Sequence, residues 1–201
     1  KIGENFNKYI DANVVKFYVC NDVVPYVDLM GNQFGTCELL GEESYNVEGH
    51  TISFKHWFIP SEGGIDDNAT STEHFKATDG SEYINRTKNN SGLYLYRQNR
   101  LVGKGLTLGM YTKDWWDCAY RCEVFFDGNC DSMFGSTFTK MVSESAKDVM
   151  QQSLYDTMTN AVKPFRAEAV RRMKKERSEK DNNNPTLKKE KEEFYKRVTE
   201  K

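Results

Sequence analysis

Side chains able to do chemistry are few in this chain of 201 residues, and they are scattered. Its 3 histidines, His50, His56 and His74, fall in a predicted turn, a predicted strand and a polar stretch, with no nucleophile-elbow glycine pattern beside them. A Ser/His/Asp or Cys/His arrangement therefore has no support from motif or spacing. His56 shares an apolar face with Ile52, Phe54 and Phe58, and lacks a second His or Cys at ligand spacing, which predicts a satisfied, half-buried histidine. Cys118, Cys122 and Cys130 are spaced C-x3-C-x7-C without a nearby histidine to complete a set, so no metal site is expected. Cys118 and Cys122 are read as small buried hydrophobes on one strand face. No G-x-x-x-x-G-K-[ST] loop or G-x-G-x-x-G turn is present, and "GKGLTLG" (103–109) has no helix after it to cradle a phosphate. One cation stands out by position. Lys140, in "FGSTFTKM" (134–141), lies where a strand-like region gives way to helical periodicity, flanked by small hydroxylated residues. An ammonium there can meet or leave a phosphate without the fixed fork geometry of an arginine.

The elements that must position these residues are read from periodicity. "VVKFYVC" (14–20) and "VVPYV" (23–27) form a predicted hairpin turning at Asn21-Asp22, with Pro25 at an edge or bulge. "SYNV" and "TISFKHWFI" form a second hairpin around Glu48-Gly49-His50. Residues 60–90 are polar and glycine-bearing, and are read as a long loop or partly ordered insertion. "SGLYLYRQNRLV" is a β-ribbon with a Gln98-Asn99 turn, and "CAYRCEVFF" a strand whose Tyr120, Cys122 and Val124 share a face.

From Met141 the period lengthens. Ala146, Met150, Leu154, Met158, Ala161 or Val162, Phe165, Ala169 and Met173 form the core stripe of an amphipathic helix, in which Pro164 either makes a kink or opens a second helix. "DNNNP" (181–185) stops it, and "TLKKEKEEFYKRVTEK" (186–201) forms a last helix with a narrow stripe of Leu187, Phe194 and Val198.

The predicted organisation is thus a mostly β body over 1–140, with a polar insertion at 60–90, followed by helices over 141–201. The fold class is α+β, a mixed sheet of about five to seven strands with helices on one side and a C-terminal helical arm or hairpin. Charge follows the same division, with 13 basic against 19 acidic residues up to Lys140 and 15 against 11 after it. Attraction to a polyanion therefore belongs to the arm. No apolar run reaches the roughly 18–20 residues of a membrane span. The odd count of 5 cysteines, in a chain long enough to fold without staples, points to an intracellular, reducing compartment, cytoplasmic or, if the source is eukaryotic, nuclear. The chain opens mid-pattern at "KIGENFNKYI", as a piece of a longer protein would.

The order of three segments resembles one family. "VKFYVCNDVVPYVDLMG" is similar to the opening strand pair of the second domain of GHKL-type ATPases, with Leu29 where that family's last proline stands. "GLYLYRQNRLV" resembles the "G-x-Y-x-Y-R-N-N-R-L-I" ribbon of MORC proteins and their prokaryotic relatives. "FGSTFTKM" resembles the loop that follows, usually ending "N-K-Q", and the "Q-T-K" loop of gyrase B and its kin, with Met141 in place of the glutamine. The resemblance covers about residues 10–160.

It implies a transducer domain of the ribosomal-protein domain 2 type, whose loop lysine reaches the γ-phosphate of ATP on a neighbouring N-terminal ATPase domain. Lys140, with Thr139 beside it, would be that contact, acting in trans on ATP and Mg2+ held mainly by the other domain. The chain alone is then expected to be inactive, and the parent to be an ATPase able to form a homodimer. The alternative is a nucleic-acid module in which Arg171, Arg172, Lys174, Lys175 and Arg177 of "RRMKKERSEK" meet DNA phosphates. A third reading is an assembly module whose last helix forms a coiled coil.

Overall fold

The computed structural model describes residues 1–30, 37–60, 74–76, 82–84, 86–135 and 150–183. Lys140, Thr139, Met141, Ala146 and the last predicted helix over 186–201, with Leu187, Phe194 and Val198, lie outside the described residues.

Two short helices open the chain, α1 (Ile2–Asn5) and α2 (Asn7–Asp11). The first hairpin follows as β1 (Tyr18–Val19) and β2 (Asp22–Val23), paired antiparallel. Its turn residues are Cys20 and Asn21, with φ of 52° and 69°, one position earlier than the Asn21-Asp22 pair suggests. Two successive positive φ values are the type I′ signature, whose twist matches that of the strands it joins. The same signature closes the two longer hairpins at Glu48-Gly49 and Gln98-Asn99.

Those hairpins build the main sheet. β4 (Glu38–Val47) pairs with β5 (His50–Phe58), and β8 (Gly92–Arg97) with β9 (Arg100–Leu106). β10 (Tyr120–Phe126) enters between them, antiparallel to β5 and parallel to β8, giving the order β4-β5-β10-β8-β9. The chain is therefore α+β with a mixed five-stranded sheet. Within the stretch read as a polar insertion, β6 (His74–Lys76) and β7 (Glu82–Ile84) pair with each other, and β7 runs parallel to β3 (Val27–Asp28) in a separate three-stranded sheet. Strands this short, in a stretch dominated by Asp, Asn, Gly and Ser, leave no alternating pattern to read.

One long helix covers one face of the main sheet. α3 spans Gln152–Asn183 and passes through Pro164, so the single continuous span replaces the second helix that this proline could have opened. Proline removes the hydrogen bond to the carbonyl four residues earlier, and here that residue, Asn160, is exposed, as is Pro164 itself, so water can satisfy the freed oxygen. The predicted stripe faces the core: Leu154, Met158, Ala161, Val162, Ala169 and Met173 are buried against Phe54, Phe58, Tyr120, Cys122 and Val124. Gly41 opens the sheet for Phe165, since a Cβ built there would stand 2.7 Å from the ring.

The opposite face is buried as well. Val27, Leu29, Met30 and Ile84 pack on Tyr94, Tyr96 and Leu101, with Trp57 and Phe125 at the margin. A strand covered on both faces cannot show the simple alternation of a half-solvated one. β10 carries Arg121 and Glu123 into this second interface, both buried. Both find polar partners there: Arg121 donates to the Leu29 and Ile84 carbonyls, while Glu123 accepts from Trp57 Nε1 at 3.0 Å and lies 2.5 Å from Lys8 Nζ. Among the described residues no helix is long and apolar enough to cross a membrane.

Candidate functional site at the sheet-to-helix junction

The segment that carries Lys140 leaves from the end of β10 and returns at the start of α3. After Phe126 the chain enters a 3-10 turn over Gly128–Ser132, capped by Asp127, whose side chain accepts from Asn129 N at 2.8 Å. Met133 and Phe134 follow, both buried, with Phe134 set 4.3 Å from Phe126 between ring centroids. Gly135, at φ 88°, is the last described residue before the segment, in the left-handed region that glycine occupies without strain. On the far side Met150 is buried, and Gln151 N donates to the Met133 carbonyl at 2.9 Å. That bond ties together the two stems from which residues 136–149 depart and return, and both stems are fixed in the core.

α3 leaves this clamp already fastened to the sheet. Ser153 Oγ donates to Glu48 of the β4–β5 turn at 2.7 Å. Arg166 forks onto Asp117 at 2.6 and 2.9 Å. Asp117 is fully buried in a 3-10 turn over Trp115–Ala119 and forms a capping box with Asp114. Arg172 reaches Glu38, and Glu176 accepts from the buried Arg86 at 3.2 Å. A displacement at either stem would therefore meet a helix held at four places along its length.

The basic arm is placed on α3 but much of its charge is spent within the chain. Arg171 and Arg172 both donate to Glu168, and these hydrogen bonds hold its carboxyl down at about 2. Lys174 stands 5.4 Å over the Trp116 ring, and Lys175 lies 3.8 Å from Glu179. Arg177 is exposed and also has an interaction partner. Duplex binding through this face would first have to open the Glu168 forks.

His56 is fully buried rather than half-buried, and only one of its ring nitrogens has a hydrogen-bond partner. Its ring lies 4.1 Å from that of Phe165, and Nδ1 is 2.9 Å from the Tyr120 hydroxyl. Burial pushes its pKa down to about 4 even though the Glu43 carboxylate is 4.0 Å from Nε2. Glu43 is partly exposed, so water screens its attraction and the desolvation of a charged imidazole wins.

The cysteines part company. Cys118 sits in the 3-10 turn rather than on a strand, with its Sγ 3.5 Å from Met173 Sδ, and Cys122 is buried beneath α3. Burial pushes the Cys122 thiol up and makes it inert. Cys130 instead meets His50 and Asp127, with one ligand atom of each within 4.8 Å of the others. Sequence spacing alone does not bring His50 to Cys130. No local signal in the sequence could have found the pair, because His50 meets Cys130 only through the pairing of β5 with β10.

Compared with known protein families, curated proteins and solved structures, the chain matches none of them.

Proposed function

We propose that this chain is the transducer of a GHKL-type ATPase of the MORC or gyrase kind, with Lys140 as its γ-phosphate contact on a neighbouring nucleotide domain. The observation that carries the reading is the junction: the segment holding Lys140 is clamped at its stems by the Gln151–Met133 hydrogen bond, and α3 starts at the next residue. A pull on that segment acts on its stems, and the stems act on a helix anchored to β4, to the Trp115–Ala119 turn, to the β4–β5 turn and to Arg86. In this reading nucleotide state reaches the arm through the packed stems and the contacts that anchor α3. The resemblance of "GLYLYRQNRLV", whose residues form the β8–β9 ribbon, supports the same assignment.

The sequence holds no phosphate-cradle motif, so ATP and Mg2+ belong mainly to the partner domain. The experiment joins the chain to that domain and measures ATP turnover with Lys140→Ala. Loss of a charge-assisted hydrogen bond, about 1.5–3 kcal/mol, corresponds to a turnover lower by roughly 10- to 100-fold. Unchanged turnover, or magnesium-dependent turnover by the chain alone, overturns the reading. DNA contact by the basic arm is the second reading. It predicts duplex binding that weakens steeply with salt and disappears when residues 171–180 are removed.

A further inference from the structure

His50, Asp127 and Cys130 come from two elements that the sheet brings side by side. His50 is the first residue of β5, directly after the Glu48-Gly49 turn, and is half-buried. Asp127 and Cys130 belong to the 3-10 turn that follows β10, the aspartate exposed and the cysteine fully buried. One nitrogen, one carboxylate oxygen and the sulfur all lie within 4.8 Å of one another.

The geometry points to a single divalent-metal site of the zinc class, held by His50, Asp127 and Cys130 with a fourth position open to water. Tetrahedral bonds of about 2.0–2.3 Å place neighbouring ligand atoms roughly 3.5 Å apart. Cys130 Sγ is 3.6 Å from Asp127 Oδ1 and donates to it, a separation close to that of two ligand atoms on one tetrahedral metal lying to the side of the S···O line. His50 would close the remaining distance by side-chain rotation at the turn end of the hairpin, where it is only half-buried. One imidazole, one carboxylate and one thiolate form a mixed N, O, S set that suits zinc and its borderline neighbours and disfavours calcium or magnesium.

The scaffold is firm where the site needs it. Asp127 caps the turn through Asn129 N, Cys130 N donates to the Asp127 carbonyl at 3.3 Å, and Asp131 receives both arms of Arg97 on the other side. Coordination replaces the Cys130 thiol proton, which leaves to solvent, and joins the β4–β5 turn to the foot of the segment that carries Lys140. The site stands independently of the transducer assignment.

The test titrates the chelator-treated 201-residue chain with Zn2+ by calorimetry and with Co2+ by absorption. One equivalent should bind with release of a proton, raise the Tm, and with Co2+ give a thiolate-to-cobalt charge-transfer band. His50→Gln and Asp127→Asn should each weaken binding by at least about tenfold while leaving the metal-free Tm unchanged. The band should survive Cys20→Ser with Cys37→Ser. Failure to bind one equivalent overturns the site, as does binding indifferent to both ligand variants, or a band that vanishes with Cys20 and Cys37.

Discussion

His56 gives the fold a measurable dependence on pH. The imidazole is packed against Phe165 and buried beneath α3, and its pKa of about 4 lies below the ordinary 6.5. The neutral ring is the form the folded chain tolerates. Above pH 6.5 neither folded nor unfolded chain protonates it, and the packing contributes in full. As the pH falls from 6.5 toward 4 the unfolded chain takes up a proton that the folded one refuses, so stability drops at ~1.4 kcal/mol per pH unit. Over that window the loss is roughly 3 kcal/mol, a large part of the 5–15 kcal/mol typical of a domain. Below pH 4 both states are protonated and this contribution stays flat. Urea unfolding followed by tryptophan fluorescence, at a series of pH values between 7.5 and 4, measures it directly. Carboxylates also titrate near the acid end, so His56→Gln is the necessary control: it keeps a partner for the Tyr120 hydroxyl and cannot titrate. The stability of the parent chain should fall toward that of the variant by about 3 kcal/mol across the window. Two curves that stay parallel from pH 7 to pH 4 would refute the argument, because burial would then not be holding the ring neutral.

Gly41→Ala places a methyl 2.7 Å from Phe165 and should cost roughly 1–3 kcal/mol in urea unfolding; part of this should return in the double variant with Phe165→Leu, and strictly additive costs would count against the close approach. Pro164→Ala restores a backbone donor toward Asn160 in a helix that is already continuous, so Tm should rise, by roughly 1–3 kcal/mol of added stability. Asp117→Ala strips Arg166 of its bidentate partner and Asp114 N of its acceptor, and a loss of about 3 kcal/mol is expected by thermal or urea unfolding; a change below about 1 kcal/mol would show the pair to be dispensable.

The parts of this molecule that repeat a local rule are legible in the sequence. β5 buries Ile52, Phe54, His56 and Phe58 at period two, and α3 buries Leu154, Met158, Ala161 and Ala169 at helical spacing. In each case one face is packed and the other is polar or only partly covered, so the sequence carries the contrast. β10 is legible only on one face. Tyr120, Cys122 and Val124 announce the α3 side, but Arg121 and Glu123 have the composition of solvent-facing residues; the covering layer brings Leu29, Ile84 and Lys8 to them, and the neighbouring strand β5 brings Trp57. A buried charge is written in the sequence as a charge, and only its partners, distant in the chain, distinguish it from a surface one.

The candidate sites divide along the same line. Lys140 is suggested by a motif within a few residues of chain, and the fold adds the clamp and the helix that give such a segment something to move. His50 belongs to no motif: its neighbours in sequence describe a hairpin turn, and its tie to Asp127 and Cys130 arises because β5 and β10 lie side by side in the sheet. Register decides the matter. Phe125 pairs with Ser53, three residues past His50, and Asp127 comes two residues beyond Phe125 on a strand running the opposite way, so the two chains reach the same end of the sheet together. A slip of one residue would turn every β10 side chain to the other face, and would carry Cys122 out of the core beneath α3 while moving Asp127 and Cys130 relative to the hairpin. The packing of α3 against Tyr120, Cys122 and Val124 thus fixes the same register that assembles the His50 cluster, which is why a site absent from any local pattern is nevertheless specified by the fold.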